Sequence, residues 1–402
     1  MNVVAMHSLK ADSRTFPAID YRLARIEIFD QMTAAKPVWR ALEQAQNLAT
    51  PYQSYEFLKH WQLYVGSATG VTPCIVVGFN SAGAPLFLWP LGIRRLAGLR
   101  VAEFLGGKHA NFNMALWRRD AVASVDAEAL RAVLARIATR ADIARLTNQP
   151  LAWAGITNPL ALLPHQRSAS FAFSGALMPD FESLLRANTN ANARKKMRKK
   201  ERTLASFGAV RFGRASGAHD AHRALDVFFK QKSARMRMRG VPDVFAAPGV
   251  RRFLEAAATE PSPGGAPPIE IYTLSVGDLI VATMGGIVRG GRFCAMFNSI
   301  APDRYASESP GEQLIVNLVR ACCERGLKTF DLGIGEAHYK GLFCGDTEPL
   351  FDSYLPLSGA GRPLAAGLAT AAAIKRAVRQ QPVLWSTVSM ARRLAARLAG
   401  AN

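Results

Sequence analysis

The sequence predicts an α+β protein of two lobes, each a mixed and mostly antiparallel sheet flanked by helices, followed by a helical tail. Three observations carry that prediction. The 402 residues are 49% hydrophobic, material for two cores at roughly 100–200 residues per domain. Both halves mix meander-type strands with amphipathic helices, although no strong internal sequence repeat is present. After residue 358 the chain becomes alanine-rich, basic and free of acidic residues. The expected units are 1–170, 171–358 and a tail over 359–402.

In the first unit, YRLARIEIF (21–29) alternates as a strand does, and PVWRALEQAQN (37–47) opens on proline with Val38, Leu42 and Ala45 at helical spacing. YEFLKHWQLYVG carries Phe57, Trp61 and Tyr64 on one helical face, and Gly66 ends it. TPCIVVGF (72–79) and PLFLWPL (85–91) flank an Asn80-Ser81-Ala82-Gly83 turn and form a hairpin. RVAEFLG (100–106) is a further strand, and Asp126 opens a helix over 126–141.

The second unit starts near Phe171 with a short helix at 179–185 and a long basic helix ending at Gly208. A strand over 209–215, a helix over 220–238 and another over 248–260 lead to a Pro/Gly loop. Three strands then run as a meander, IEIYTLSV, LIVATMGGIV and RFCAMFNSI, turned at Gly277-Asp278 and Gly290-Gly291. A helix over 311–325, the strand KTFDLGI (328–334), a short irregular segment and LFDSYLPL (350–357) complete the lobe.

Charge narrows the partners. Lys and Arg number 50 against 30 Asp and Glu, a net charge of +20, which excludes an acidic solubilising protein and points to an anionic partner. Almost all of the excess lies in residues 186–202, 223–239 and 359–402. The 186–206 stretch has no aromatic residue, so base stacking, and with it sequence-specific nucleic-acid reading, is not expected. In RKKMRKKER (194–202), Arg194 with Arg198, or Lys196 with Lys200, lie one turn apart and can grip one anion. Arg235, at the end of the next helix, is the further substrate-contact candidate. The tail reads first as a cationic helix packed on the body, and second as peripheral contact with an anionic membrane surface. The five cysteines form no C-x-x-C and the seven histidines are scattered, so a reducing cytoplasmic setting and no metal site are expected. No signal-peptide core and no apolar run of bilayer length occurs.

The chemistry concentrates in residues 268–357. Ser309 and Gly311 sit at a helix start whose free N–H groups suit a phosphate or pyrophosphate; simple capping by Ser309 is the structural alternative. Asp331 interrupts an apolar strand, where a carboxylate is costly unless paired or lining a cleft. Gly333 and Gly335 leave backbone open to a ligand at the strand end. His338, Tyr339 and Lys340 follow, and the alternative is a turn-capping Asp with a surface Tyr-Lys pair.

The order of SPGEQL, FDLGIG and the following YK, with NARKKMRKKERTLASFG (192–208) and SARMRMRG (233–240) upstream, resembles the BioF-like, CelD-type acyltransferase family of the GNAT superfamily, related to the FemAB aminoacyl transferases. The resemblance spans roughly residues 180–345. It implies tandem GNAT-like lobes and acyl transfer, with acyl-CoA, above all acetyl-CoA, as co-substrate and an amine or hydroxyl as acceptor. The thioester would lie where strands 291–299 and 328–334 splay apart, with pyrophosphate at Ser309 and Gly311. Tyr339 would protonate the departing thiolate, with Asp331 or His338 as general base and Lys340 beside them. The acceptor would be a small molecule or saccharide, and the CelD-type resemblance implies a link to exopolysaccharide or cellulose production. The GNAT pyrophosphate loop normally carries R/Q-x-x-G-x-G/A. Ser309-Pro310-Gly311-Glu312 has one glycine and an acid, which leaves aminoacyl-tRNA open as the donor. A non-catalytic scaffold on an anionic surface is the reading outside enzymology. The expected location is cytoplasmic, including the inner-membrane periphery.

Overall fold

The computed structural model describes residues 20–44, 46–302, 304–334 and 342–380. The first lobe runs β1 (Arg25–Phe29), α1 (Met32–Leu42), α2 (Tyr55–Trp61) with a π-turn (Gln62–Gly66), β2 (Thr72–Phe79), β3 (Pro85–Leu96), β4 (Leu99–Phe104), β5 (Leu116–Trp117), α3 (Ala127–Ala138) and β6 (Ile143–Pro150). A small hairpin of β7 (Ala152–Trp153) and β8 (Ile156–Thr157) leads to β9 (Gln166–Ala176). Helices α4 (Phe181–Asn188) and α5 (Ala191–Ala205) connect to the second lobe. That lobe runs β10 (Val210–Arg214), α6 (Ala218–Arg239), α7 (Val250–Thr259), β11 (Glu270–Val276), β12 (Leu279–Arg289), β13 (Arg292–Ile300), α8 (Pro310–Glu324), β14 (Thr329–Ile334) and β15 (Asp346–Pro356), and α9 (Gly361–Gln380) follows.

Element order repeats even though the sequence does not. Strand, two helices, three antiparallel strands, helix, strand occurs from β1 to β6 and again from β10 to β14. In each copy the last strand lies parallel to the meander's third strand, β6 to β4 and β14 to β13. The lobes then exchange their closing strands. β15 pairs with β6 of the first lobe, and β9 pairs with β14 of the second. β9 and β15 also pair with each other, so one sheet runs β1-β2-β3-β4-β6-β15-β9-β14-β13-β12-β11-β10. The expected boundary at 170/171 therefore falls inside β9, and the lobes cannot separate without breaking strand pairs.

Helices cover both faces. On one, α2 of the first lobe meets α7 of the second, with Phe57 and Phe253 edge to face at 5.3 Å. Gly249 makes that contact possible: at φ +78° a Cβ would lie 1.9 Å from the Tyr64 carbonyl oxygen. On the other face, Leu314, Leu318 and Cys322 of α8 pack on Phe293 and Phe330.

Several elements depart from the expectations. α1 begins at Met32, and Pro37 lies inside it; Met32 and Ala35 are buried, so their packing outweighs the hydrogen bond that proline denies to the Thr33 carbonyl. The expected strand over 21–29 shortens to β1. The tail packs on the body as far as it is described: Ala365 is buried against Val101 and Ile143, and Arg376 and Arg379 donate to the Arg167 carbonyl and Ser170 Oγ at 2.7 and 2.6 Å. All five cysteines are buried and none is in a disulfide. Among the described residues, no helix is long and apolar enough to cross a membrane, and no three metal-ligating side chains gather.

Candidate active site

β13 and β14 hold together through three residue pairs only, Arg292 with Thr329, Phe293 with Phe330 and Cys294 with Asp331. Beyond them the strands part. β13 bulges between Phe297 and Ala295 against β12, and β14 shifts register against β9 between Asp331 and Gly333. The result is a wedge along β13, where the Ala295 and Asn298 carbonyls accept from side chains outside the sheet.

Two side chains from outside β13 reach that edge. Asn111, from the loop after β4 in the first lobe, donates Nδ2 to the Ala295 carbonyl at 2.8 Å and to Tyr52 Oη at 3.0 Å. Gly333, at φ +69°, makes room for it: a Cβ there would lie 2.3 Å from Asn111 Nδ2. The close approach expected of a ligand at Gly333 is thus made by Asn111. Lys232 of α6 donates Nζ to the Asn298 carbonyl at 3.1 Å and lies 5.3 Å from the Phe245 ring centroid. Burial, reinforced by the neighbouring charge of Arg235, pushes the Lys232 pKa down to about 8, so a fraction of neutral amine exists near neutral pH. Arg235 is half-buried one turn further along α6.

Asp331 closes the fork where the strands part. It is fully buried, with Oδ2 2.6 Å from Arg292 Nη2 and Oδ1 accepting from the Gly333 amide at 2.5 Å. Arg292 also meets Glu348 at 2.7 Å and lies over the Trp153 ring at 4.3 Å. Burial raises the Asp331 pKa and Arg292 pulls against it. For Arg292, burial opposes its charge, but Asp331 and Glu348 outweigh it and hold its pKa above the usual value. The expectation of Asp331 as a general base meets this geometry poorly: both of its oxygens are engaged and none of its surface is exposed. It is the buried partner of Arg292.

On the opposite face, α8 starts without a side-chain cap. Ser309 precedes it in the left-handed region at φ +52°, and Pro310 occupies the first turn. Lys200 of α5 crosses to this start, donating Nζ to Ser309 Oγ at 2.7 Å and standing 3.5 Å from Glu312. The acid that looks wrong beside a phosphate is thus met by a lysine from another helix. Gly311 leaves room for Ile300, whose Cγ2 would lie 2.8 Å from a Cβ.

The remaining candidates separate. Arg194 folds back on Thr189, bonding its carbonyl and, at 3.3 Å, its Oγ1, while Arg198 is exposed on α5. The expected grip of these two arginines on one anion is therefore replaced by a role for Arg194 at the end of α4. Gly335, His338, Tyr339 and Lys340 lie outside the described residues, in the segment that continues from β14. Sequence reasoning missed Lys232 and Asn111. The apolar flank in FFKQK was a usable signal for the first; nothing local marks the second.

Residues 191–341 match the family model described as an acetyltransferase (GNAT) domain. A conserved protein of unknown function from Bacteroides thetaiotaomicron VPI-5482 superposes with a TM-score of 0.53 at 11% identity, covering 82% of this chain and 100% of that one. FemX superposes with a TM-score of 0.53 at 10% identity, covering 86% of this chain and 100% of FemX. No curated protein matches the sequence. At such identities the structural likeness speaks for fold alone. With the family match and the repeated element order, the fold is a tandem GNAT-like α+β architecture with a C-terminal helix.

Proposed function

We propose that this protein transfers an acyl group from a phosphate-bearing carrier, acyl-CoA in the first instance, to an amine or hydroxyl acceptor. The observation that carries the reading is the uncapped start of α8, served by Lys200, beside the splayed strands β13 and β14. The carrier's phosphates would meet the Gly311 amide and the Lys200 ammonium, since Pro310 has no N–H and the Glu312 and Gln313 amides already donate to the Ser309 carbonyl, and its acyl arm would enter the wedge. There the arm would take over the Ala295 and Asn298 carbonyls now held by Asn111 and Lys232.

In the reaction the acceptor's nitrogen or oxygen bonds to the thioester carbon, the carbon–sulfur bond breaks, and the acceptor's proton ends on the departing sulfur. Asn111 Nδ2, released from the Ala295 carbonyl, would stabilise the oxyanion. With Asp331 engaged by Arg292, the base role passes to Lys232, whose pKa of about 8 suits proton transfer near neutrality, or to His338. Tyr339 is assigned the proton return to sulfur and Lys340 a contact with the carrier.

Calorimetric titration with acetyl-CoA tests the carrier, and thiol release in the presence of acceptors tests the transfer. Saturable binding that weakens about tenfold in Lys200→Ala is expected, since a charge-assisted contact contributes about 1.5–3 kcal/mol. Absence of both binding and thiol release rejects acyl-CoA. A second reading, aminoacyl-tRNA as the carrier, draws on α5, where Lys195, Lys196, Arg198, Lys199 and Arg202 are all exposed, more cations than one pyrophosphate needs. It requires tRNA binding that falls steeply with salt. A scaffold without chemistry would be indicated if Tyr339→Phe left cellular function intact while charge reversal on α5 abolished it.

A further inference from the structure

Lys232 is pinned at the wedge by the residues on either side of it in the chain. Gln231, just before it, donates Nε2 to the Ile280 carbonyl of β12 at 3.0 Å and accepts from Ser299 Oγ of β13 at 2.6 Å. Ser299 shares a further 2.7 Å hydrogen bond with Thr283 of β12. Ser233, just after it, donates Oγ to Asp243 at 2.6 Å, and the other Asp243 oxygen accepts the Phe245 amide at 3.0 Å. α6 is thereby fixed to two strands and to the loop that follows it, with Lys232 between the fixed points. Its Nζ meets the Asn298 carbonyl, one residue from Ser299, on the face opposite α8.

Arg235 and Arg239 of α6 and Asp243 of the loop are the charges that act on this amine, and His109, beyond the Phe245 ring, is kept neutral by burial. The Asp243 carboxylate is taken by Ser233 and Phe245. The near company of the ammonium is therefore a strand carbonyl and an aromatic ring 5.3 Å away. Lys230, on the same helix, is exposed. An amine so placed is neutral part of the time, and a neutral amine that can take a proton can also attack carbon.

A carrier in the wedge changes what this amine can touch. An acyl arm that takes the Asn298 carbonyl releases Nζ beside itself. The phosphates come from the α8 face and the amine from the α6 face, so neither obstructs the other. Tethered next to a thioester in this way, an amine reacts as if it were present at very high concentration. Beside Lys232 a cavity of about 570 Å³, lined in part by Phe229, Ser233 and Phe245, leaves room for a side chain lengthened by an acyl group.

We infer that Lys232 is itself an acyl acceptor, a site of self-modification, an inference that rests on the acyl-carrier reading. The Nζ lone pair bonds to the thioester carbon, the carbon–sulfur bond breaks, and a proton of the amine passes to the departing sulfur, leaving an amide on Nζ and a free thiol. The amide carries no charge for burial to oppose, and it has no basic lone pair with which to take a proton from an external acceptor. The modified lysine is thus an end point and not an intermediate, and a protein that meets carrier without acceptor silences itself. The test is incubation of the full chain with acetyl-CoA, followed by intact mass and peptide mapping, with calorimetry on the same samples. One acetyl group per chain is expected, on Lys232, with Lys230 labelled no faster than other surface lysines. The labelling rate should level off above about pH 8, whereas that of an exposed lysine climbs toward its ordinary pKa of about 10.4. Lys232→Arg should take no label there and still bind acetyl-CoA, and Lys200→Ala should label about tenfold more slowly at low acetyl-CoA. Acetyl-CoA binding with Lys232 unlabelled, or label spread evenly over Lys230 and the α5 lysines, overturns the inference and leaves the carrier standing. Neither binding nor label rejects the carrier, and the inference with it.

Discussion

The two lobes share an element order and differ at two equivalent points. In the first lobe, α3 begins at Asp126, whose carboxylate accepts from the Ala129 amide; in the second, α8 begins uncapped with Lys200 beside it. Both starts carry acids, Asp126 and Glu128 at α3 and Glu312 at α8, but only the α8 start has a lysine set against its acid, Lys200 at 3.5 Å from Glu312. The forks differ as well. The first-lobe fork ends at Glu103, which meets Arg145 at 2.6 Å and Arg94 at 3.1 Å with its side chain 19% exposed, and it opens into a cavity. The second-lobe fork ends at the fully buried Asp331–Arg292 pair, and its edge is held by Asn111 and Lys232. The first-lobe fork opens on a cavity beside an Asp-capped helix start, and the second-lobe fork is closed by a buried ion pair beside an uncapped one.

The largest effect should come from unfastening the buried fork. Asp331→Ala leaves Arg292 charged and desolvated with only Glu348 to answer it, a loss of about 3–5 kcal/mol for a broken buried pair. Glu103→Gln at the partly exposed first-lobe fork, where Arg94 and Arg145 keep access to solvent, should cost less, about 1 kcal/mol. Urea unfolding of both variants measures the contrast, and equal losses would mean that the forks are fastened alike.

The lobes should also respond to pH at opposite ends of the range. His109, with its folded pKa at about 4 against an unfolded 6.5, is neutral in the fold. Its contribution is present above pH 6.5 and lost as pH falls through 4, on the order of 3 kcal/mol in all. Lys232, at about 8 against 10.5, disfavours its own protonation in the fold, so stability gains as pH rises from 8 toward 10.5, by a similar order. His109→Phe should flatten the acid limb of the stability profile and Lys232→Met the alkaline limb. A profile changed at both ends by either substitution would show that these sites are coupled rather than local.

Much of the second lobe was legible because its signals are local. The meander β11–β13 consists of apolar runs, β12 being buried over seven consecutive residues, separated by glycine turns, and α8 and β14 follow. What was not legible depends on distance along the chain. The exchange of β9 and β15 pairs strands more than 150 residues apart, such as Ser174 with Asp346, and neither strand encodes its partner. Asn111 reaches Ala295 across 184 residues from an unremarkable loop. In the site, the basic run announced an anion but could not rank its lysines; only the crossing of α5 over α8 distinguishes Lys200. Asp331 was visible as a misplaced acid, while its partner Arg292 was one arginine among many, so the same signal supported a base or an ion pair.

The smallest effects bear most directly on the helix starts. Lys200→Ala removes a charge that is one-third exposed, at 34%, so its loss should barely move stability while weakening acetyl-CoA binding about tenfold, equivalent to about 1.4 kcal/mol. Asp126→Ala removes a helix cap and should cost about 1 kcal/mol of stability with no change in acetyl-CoA binding. The two variants thus exchange readouts: one loses ligand and keeps fold, the other loses fold stability and keeps ligand. Calorimetry and thermal unfolding on the same pair of samples decide it. If Asp126→Ala weakened acetyl-CoA binding as much as Lys200→Ala, the first lobe would hold the carrier, and the assignment of α8 as the phosphate end would have to be reversed.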